Sequence, residues 1–263
     1  MRVVVWNMSH WLRSEEQRQL GWSVLREELK ADVALLQETV PPEPYADQAV
    51  YRPIGGTRPW GSAVVGITVD VTKVEDAKGR VNSGPRSILV TQPGTVAVAS
   101  AEVNGSPLTF ISIYGLIEDG YADTTVNRQL SDLAPLFDDP RHEGRIVLGG
   151  DLNITTQWAG GQAHYALWEA ATFERIRAFG LVDCLDVHRE DGPLEDCGCE
   201  HGDRCRHIQT QVHASSSRPW QNDYLFASAE LTRDVLAKAW VHVDSEAVRA
   251  LGDHFPLVAD LDL

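Results

Sequence analysis

Several apolar runs in this sequence end in carboxylates, carboxamides or a histidine. In the clearest, Ile146, Val147 and Leu148 lead through Gly149 and Gly150 to Asp151 and, two residues on, Asn153. Residues two apart on an extended segment share a face, so Asp151 and Asn153 are expected to look into one site. Near the end of the chain, Gly252-Asp253-His254-Phe255-Pro256 precedes the apolar Leu257, Val258 and Ala259. Residues 33–38 form another apolar run ending in Glu38, and residues 3–7 one ending in Asn7. Carboxylate and carboxamide oxygens are hard donors of the kind Mg²⁺ or Mn²⁺ takes, and an imidazole exchanges protons near neutral pH. A second chemistry is written between residues 197 and 207. Cys197, Cys199, Cys205 and His207 place three thiols and an imidazole within eleven residues, a donor set for a closed tetrahedral Zn²⁺ site. His201 is the alternative imidazole. An ion with all four positions filled would be structural, clamping a Cys/His-rich loop at about residues 190–219.

The order of the first set carries a resemblance. Trp6-Asn7, Leu36-Gln37-Glu38, Ser112-Ile113-Tyr114, Gly150-Asp151-Leu152-Asn153, Asn222-Asp223-Tyr224-Leu225-Phe226 and Gly252-Asp253-His254-Phe255-Pro256 run from the first strand to the last residues. Together they resemble the endonuclease/exonuclease/phosphatase superfamily, the fold of pancreatic deoxyribonuclease and the abasic-site endonucleases. The resemblance implies an α/β fold in which two mixed β-sheets pack face to face as a sandwich with helices outside, four layers in all. It implies one domain over residues 1–263 and a site at one end of the sandwich. It also implies a divalent-metal-dependent phosphoester hydrolase, with a nuclease cleaving DNA or RNA as the first reading. A phosphatase or phosphodiesterase for a small nucleotide, sugar phosphate or lipid head group is the alternative. A binding module that has lost catalysis is the third class, and the intact acids argue against it.

Phosphoester hydrolysis needs a positioned and deprotonated water, neutral charge around the phosphoryl oxygens, and a stabilised leaving oxygen. The resemblance assigns metal binding to Glu38, to Asn7 through its side-chain oxygen, and to Asp253 as a further ligand. It makes His254 the acid–base or phosphate-stabilising group, oriented and kept charged by Asp223. Asp151 would activate the water, Asn153 would hold a phosphoryl oxygen or the metal-bound water, and Tyr114 would lie at the phosphate. Trp220, three residues before Asp223, and Trp158, shortly after Asn153, would border the substrate, where aromatic faces can stack bases. Two departures stand out: Gly115-Leu116 follows Tyr114, and no second acid follows Asn7 two residues on.

These groups must be positioned by regular elements. Residues 15–30 read as a helix with Leu20, Val24, Leu25 and Leu29 along one face. Strands are expected at 33–36, 63–71, 87–91, 96–103, 108–114, 146–148, 224–226 and 258–261. A helix over 124–137 would be N-capped by Thr124, and one over 162–179 would stop at Gly180. Interleaved strands and helices of this kind indicate a mixed α/β domain.

Composition narrows the partners. The chain has 263 residues, 43% of them hydrophobic, and a formal net charge of −15. That charge opposes a broad non-specific nucleic-acid surface, although bound cations can supply local positive charge. Lys30, Lys73, Lys78 and Lys238 are the only lysines. The start is a poor signal peptide, and no apolar stretch is long enough to span a membrane, so a cytoplasmic protein is expected. In a reducing compartment the clustered thiols point to metal rather than to disulfides.

Overall fold

The structure, a computed structural model, describes residues 1–78, 84–188, 194, 195, 197–212 and 218–263. Within the Cys/His-rich segment, residues 190–193, 196 and 213–217 lie outside those described. The chain opens with β1 (Arg2–Asn7), α1 (Glu15–Ser23), β2 (Val33–Thr39), α2 (Glu43–Ala46), β3 (Ala49–Gly55) and β4 (Arg58–Gly66). It continues through β5 (Thr72–Lys73), β6 (Asp76–Ala77), β7 (Arg86–Ser87), β8 (Val96–Val103), β9 (Ser106–Ile113), α3 (Asp123–Phe137) and β10 (Ile146–Asp151). The last part holds α4 (Ala163–Ala178), β11 (Leu181–Asp183), α5 (Cys184–Val187), β12 (Gln211–Val212), β13 (Pro219–Trp220) and β14 (Asp223–Ser228). It closes with α6 (Ala229–Asp234), β15 (Leu236–Val241), α7 (Glu246–Leu251) and β16 (Leu257–Leu261).

Two six-stranded sheets result, in the orders β15-β16-β1-β2-β4-β3 and β11-β14-β10-β9-β8-β5. Each is mixed: β1–β2 is the parallel pair of the first and β9–β10 that of the second. Side-chain alternation explains the layers. Phe110, Val147 and Leu225 join the core shared with Val3, Val5 and Leu35 of the first sheet. Their neighbours Ile111, Leu148 and Phe226 face the other way, against Val126, Leu130 and Leu133 of α3 and Phe173 and Ile176 of α4. Trp22 of α1 and Val248 and Leu251 of α7 bury against the first sheet. The expected four-layer α/β sandwich is what the structure shows. No helix among the described residues is long and apolar enough to cross a membrane.

The sheets are pinned together at one end. A Cβ on Gly149 would come within 2.4 Å of Val5 Cγ2 across the sheets, and one on Gly150 within 3.2 Å of Gln37 Nε2 across them and 1.7 Å of the Ile113 carbonyl oxygen on the neighbouring strand. Only glycine permits that approach. Beside it, Gln37 Nε2 donates to Ser112 Oγ at 2.9 Å, and that hydroxyl donates to the Leu36 carbonyl at 2.8 Å. This fully buried polar bridge fixes the position of β2 over β9.

Several local expectations change. The helix expected over 15–30 is α1 with a Ser14/Gln17 capping box, continued by a π-helical turn over Val24–Glu28. Thr124 lies inside α3, whose N-cap position is Ala122. The strand expected at 63–71 is β4, shifted to Arg58–Gly66, and of the strand expected at 87–91 only β7 forms. The edge strand β3 carries Arg52 and Pro53, which hid it, since proline is confined to edges and bulges.

Candidate active site

Both sheets deliver polar residues to the same end of the sandwich. Asn7 closes β1, and Glu38 lies near the end of β2. Asp151 closes β10 directly opposite Asp223, the first residue of β14. Tyr114 follows β9, and His254 precedes β16. Asp151, Asp223 and His254 are almost completely buried, at 1%, 0% and 5% exposure, so their charges must be satisfied by one another.

The bonds show how. His254 Nδ1 lies 3.0 and 2.9 Å from the two Asp223 oxygens, and its Nε2 is 3.9 Å from Asp151 Oδ2. Burial works against the imidazolium, but the Asp223 and Asp151 carboxylates outweigh it and raise the pKa to about 10. Burial pushes the Asp151 carboxyl up to about 7, against the pull of His254. Asp151 Oδ2 accepts from Asn7 Nδ2 at 2.9 Å and Asn153 Nδ2 at 3.0 Å, while Oδ1 accepts from the Asn153 amide at 3.0 Å. Asn153 reaches this place through a left-handed turn (φ 50°) rather than as an extension of the strand. It faces Asp151 because it folds back on it, not because of strand alternation. Trp6 Nε1 donates to the His254 carbonyl at 3.1 Å and holds the histidine from the first sheet.

Glu38 is the half-buried carboxylate of the group and also adopts a positive φ, 47°. It accepts from Tyr114 Oη at 3.0 Å, from Asn7 Nδ2 at 3.3 Å and from Trp11 Nε1 at 2.5 Å. Burial first, then the charges of Glu38 and Asp151, drive the Tyr114 phenol well above its usual pKa. It is therefore a permanent hydrogen-bond donor. Trp60 is buried edge-on against Tyr114, its ring 5.5 Å away.

Two expected metal ligands are placed differently from the others. Asn7 was expected to present its oxygen beside Glu38. Instead that oxygen accepts from the Ser9 amide at 2.9 Å and the nitrogen faces both carboxylates. The left-handed Ser9 N–H requires an acceptor, which fixes the amide's orientation. Asp253 is outside the Asp151–Asp223–His254 set, whose ligand atoms fall within 4.8 Å of one another, but shares Gln211 Nε2 with His254. Its contact is Gln211 Nε2 at 3.4 Å, and it borders a cleft of about 720 Å³ with Leu12, Arg13, Val212, Arg249 and Phe255.

Gln211 itself was not foreseen. Its Nε2 lies 3.0 Å from His254 Nε2, while its oxygen accepts from Asn222 Nδ2 at 2.6 Å. A lone glutamine in a polar stretch carries no signal of this. Trp11, 57% exposed, was also missed, because its bond to Glu38 depends on the helical turn His10–Leu12.

The thiols form a second cluster. Cys197, Cys199, Cys205 and His207 bring ligand atoms within 4.8 Å of one another. His207 Nδ1 lies 3.4 Å from both the Cys197 and the Cys205 sulfur. His201 is not part of the set; its ring stands 5.5 Å from that of His207. Trp158 and Trp220 pack on each other with centroids 5.1 Å apart, and the Arg218 guanidinium lies 4.1 Å over the Trp220 ring.

No family model and no curated protein matches the sequence. Solved structures do. A 3'-5' exonuclease (NExo) from Neisseria meningitidis matches with TM-score 0.64 and 17% identity, covering 100% of both chains. An AP endonuclease from Archaeoglobus fulgidus matches with TM-score 0.61 and 17% identity, again over 100% of both chains. An endonuclease/exonuclease/phosphatase family protein from Leptotrichia buccalis matches with TM-score 0.60 and 16% identity over 100% of both. The chain therefore has the endonuclease/exonuclease/phosphatase fold from end to end.

Proposed function

We propose that this protein is a divalent-metal-dependent phosphoester hydrolase that cleaves DNA or RNA phosphodiesters. The observation that carries the reading is the Asp223–His254–Asp151 line, buried where the two sheets meet and joined through Asn7 to Glu38. Structures of the same fold include a 3'-5' exonuclease and an AP endonuclease, which supports a phosphoester as substrate.

The donors fit a hard cation. Glu38 offers carboxylate oxygens at the mouth of the site, and Asp151, joined to it through Asn7 Nδ2, would be the second carboxylate on the ion. A bound Mg²⁺ or Mn²⁺ would supply positive charge against the phosphoryl oxygens. The protein's own groups do the rest. Asp151 accepts a proton from the attacking water. Asn153, whose Nδ2 donates to Asp151 Oδ2 and to the Gly115 carbonyl, would exchange one of those bonds for a phosphoryl oxygen when substrate binds. Asp223 fixes the His254 ring through Nδ1, so that Nε2, which meets Gln211 Nε2 at 3.0 Å, would be the nitrogen offered to the phosphate and the leaving oxygen. Tyr114, which donates to Glu38 Oε1, would hold that carboxylate toward the cation. Trp158 and Trp220 give a base a surface to stack on. The thiol–imidazole cluster is chemically separate, with soft donors that suit Zn²⁺ rather than Mg²⁺.

One observation favours a small phosphoester as the second reading: the net charge of −15 repels a polyanion. A panel of DNA, RNA, nucleotides, sugar phosphates and lipid head groups, each with Mg²⁺ or Mn²⁺, decides between them. EDTA should abolish activity and either cation restore it. Full activity in metal-free protein removes the proposal.

A further inference from the structure

We infer that Cys197, Cys199, Cys205 and His207 hold one Zn²⁺ whose task is to clamp the aromatic wall of Trp158 and Trp220 in place. The inference rests on the hydrolase reading only where it speaks of substrate.

The donor set fits the ion. Ligands on a tetrahedron with zinc's usual bond lengths lie roughly 3.5–3.8 Å apart. His207 Nδ1 is 3.4 Å from two of the sulfurs, and all four donors fall within 4.8 Å. The histidine is already oriented for this. Its Nε2 meets Thr156 Oγ1 at 2.7 Å, which leaves Nδ1 toward the thiols. Zinc-bound histidines are held in the same way, by a partner on the other ring nitrogen.

That partner is the link to the wall. Thr156 and Gln157 lie just before Trp158, and Gln157 joins three segments. Its Nε2 faces Cys197 Sγ at 3.4 Å and donates to the Pro219 carbonyl at 3.3 Å, and its Oε1 accepts from the Gln221 amide at 2.6 Å. Arg218 Nη2 donates to the Gln157 carbonyl at 3.0 Å while its guanidinium covers Trp220. Downstream of His207, Gln221 Oε1 accepts from the Ile208 amide at 3.0 Å, and Gln211 pairs with Trp220 across β12–β13. The cysteine segment has almost no apolar core of its own, so the metal supplies the order that packing does not. The Asp223–His254 pair is held chiefly by Trp6 and the β10–β14 ladder, with Gln211 of β12 as a contact on the wall side. Loss of zinc should therefore loosen the wall more than it disturbs the chemistry.

The test uses the full chain as purified. Metal analysis should find about one zinc per chain, and cobalt exchange should give the thiolate charge-transfer absorption of a tetrahedral site. Cys199→Ser and Cys205→Ser should lose both, whereas Cys184→Ala, outside the cluster, should keep them. Thr156→Val should weaken zinc binding about tenfold or more. Hydrogen exchange in residues 155–158 and 219–221 should rise when zinc is lost. On a base-bearing substrate KM should increase about tenfold, the scale of one lost stacking contact, with kcat little changed. Absence of zinc from protein expressed with ample metal overturns the inference. So does zinc loss that leaves exchange at 155–158 and 219–221 unchanged. Metal content and exchange are read without turnover, so they decide the clamp even if no phosphoester is cleaved.

Discussion

The two donor clusters of this molecule are built in opposite ways. The carboxylate–histidine centre collects Asn7, Glu38, Tyr114, Asp151, Asp223 and His254 from strands spread over the whole chain. Its carboxylates already accept bonds from neighbours, and the sheets that hold them approach as closely as Gly149 and Gly150 allow. The thiol–imidazole cluster takes all its donors from eleven consecutive residues with little regular structure. Packing positions the first, and for the second we propose an ion. The two should therefore fail differently: the first through chemistry or through global stability, the second locally.

The largest contrast lies in turnover. Asp151→Ala and His254→Ala should each lower kcat about a hundredfold or more, the scale of a lost acid–base or charge-stabilising group. Circular dichroism should still show a folded sandwich, because both residues, though buried, lie at one end of it and outside its two apolar cores. Near-normal kcat in either variant, at saturating cation, would take that residue out of the mechanism and remove one half of the comparison.

Stability gives the next contrast. Gly150→Ala forces a methyl to within 1.7 Å of the Ile113 carbonyl on the neighbouring strand, so β10 and β9 must part. Urea unfolding should show a loss of about 3 kcal/mol or more. Gly202, in the cysteine loop at φ +54°, has open space around its Cβ position. Gly202→Ala should cost only about 1 kcal/mol, the left-handed backbone penalty. Equal losses at the two positions would mean that the loop is as tightly built as the sandwich.

The histidine offers a direct reading of the charged centre. With Asp223 present, the His254 pKa stands far above the ordinary value, because two carboxylates outweigh burial. Asp223→Asn removes the larger favourable charge and leaves the burial, which pulls the other way. Ring-proton NMR in metal-free protein should show the His254 pKa fall by two units or more, on the order of what one close charge supplies. An unchanged titration would mean that Asp151 alone sets the charge of the ring.

How much of this was legible follows from the same contrast. The cysteine spacing announced its cluster by itself, because the donors are neighbours in sequence. The sandwich site was legible only as an ordered series of fragments, each of which alone is an ordinary turn or cap. That series gave the fold and placed Asp151, Asp223 and His254 together, yet it did not show that Asn7 turns its oxygen to Ser9. That orientation depends on the left-handed backbone at Ser9, which no residue type announces. Gln211 was invisible for a related reason: its contact with His254 comes from pairing β12 with β13 next to β14, a matter of tertiary register. The edge strand β3 was lost to Pro53, and β15 to a mixed sequence, Leu236-Ala-Lys-Ala-Trp-Val241, whose burial depends on its neighbour β16.

The smallest effect concerns the second anchor of the aromatic wall. Glu169 of α4 is buried, and one of its oxygens accepts from the Thr155 amide at 2.5 Å and from Trp158 Nε1 at 2.9 Å. Burial raises its pKa to about 7 against the pull of those two donors. The folded state therefore holds a proton that the unfolded chain releases near pH 4.5. Below that pH Glu169 imposes no charge penalty; as pH rises toward 7 the folded protein must either keep the proton or bury a charge, and stability falls. A glutamine keeps the single accepting oxygen and never ionises. Glu169→Gln should match the native protein in thermal denaturation near pH 4.5 and exceed it by on the order of 1 kcal/mol above pH 7, with most of the gain appearing between. A gain that does not depend on pH would show that Glu169 is held neutral or fully solvated throughout. The Trp158 wall would then rest on the cysteine side alone.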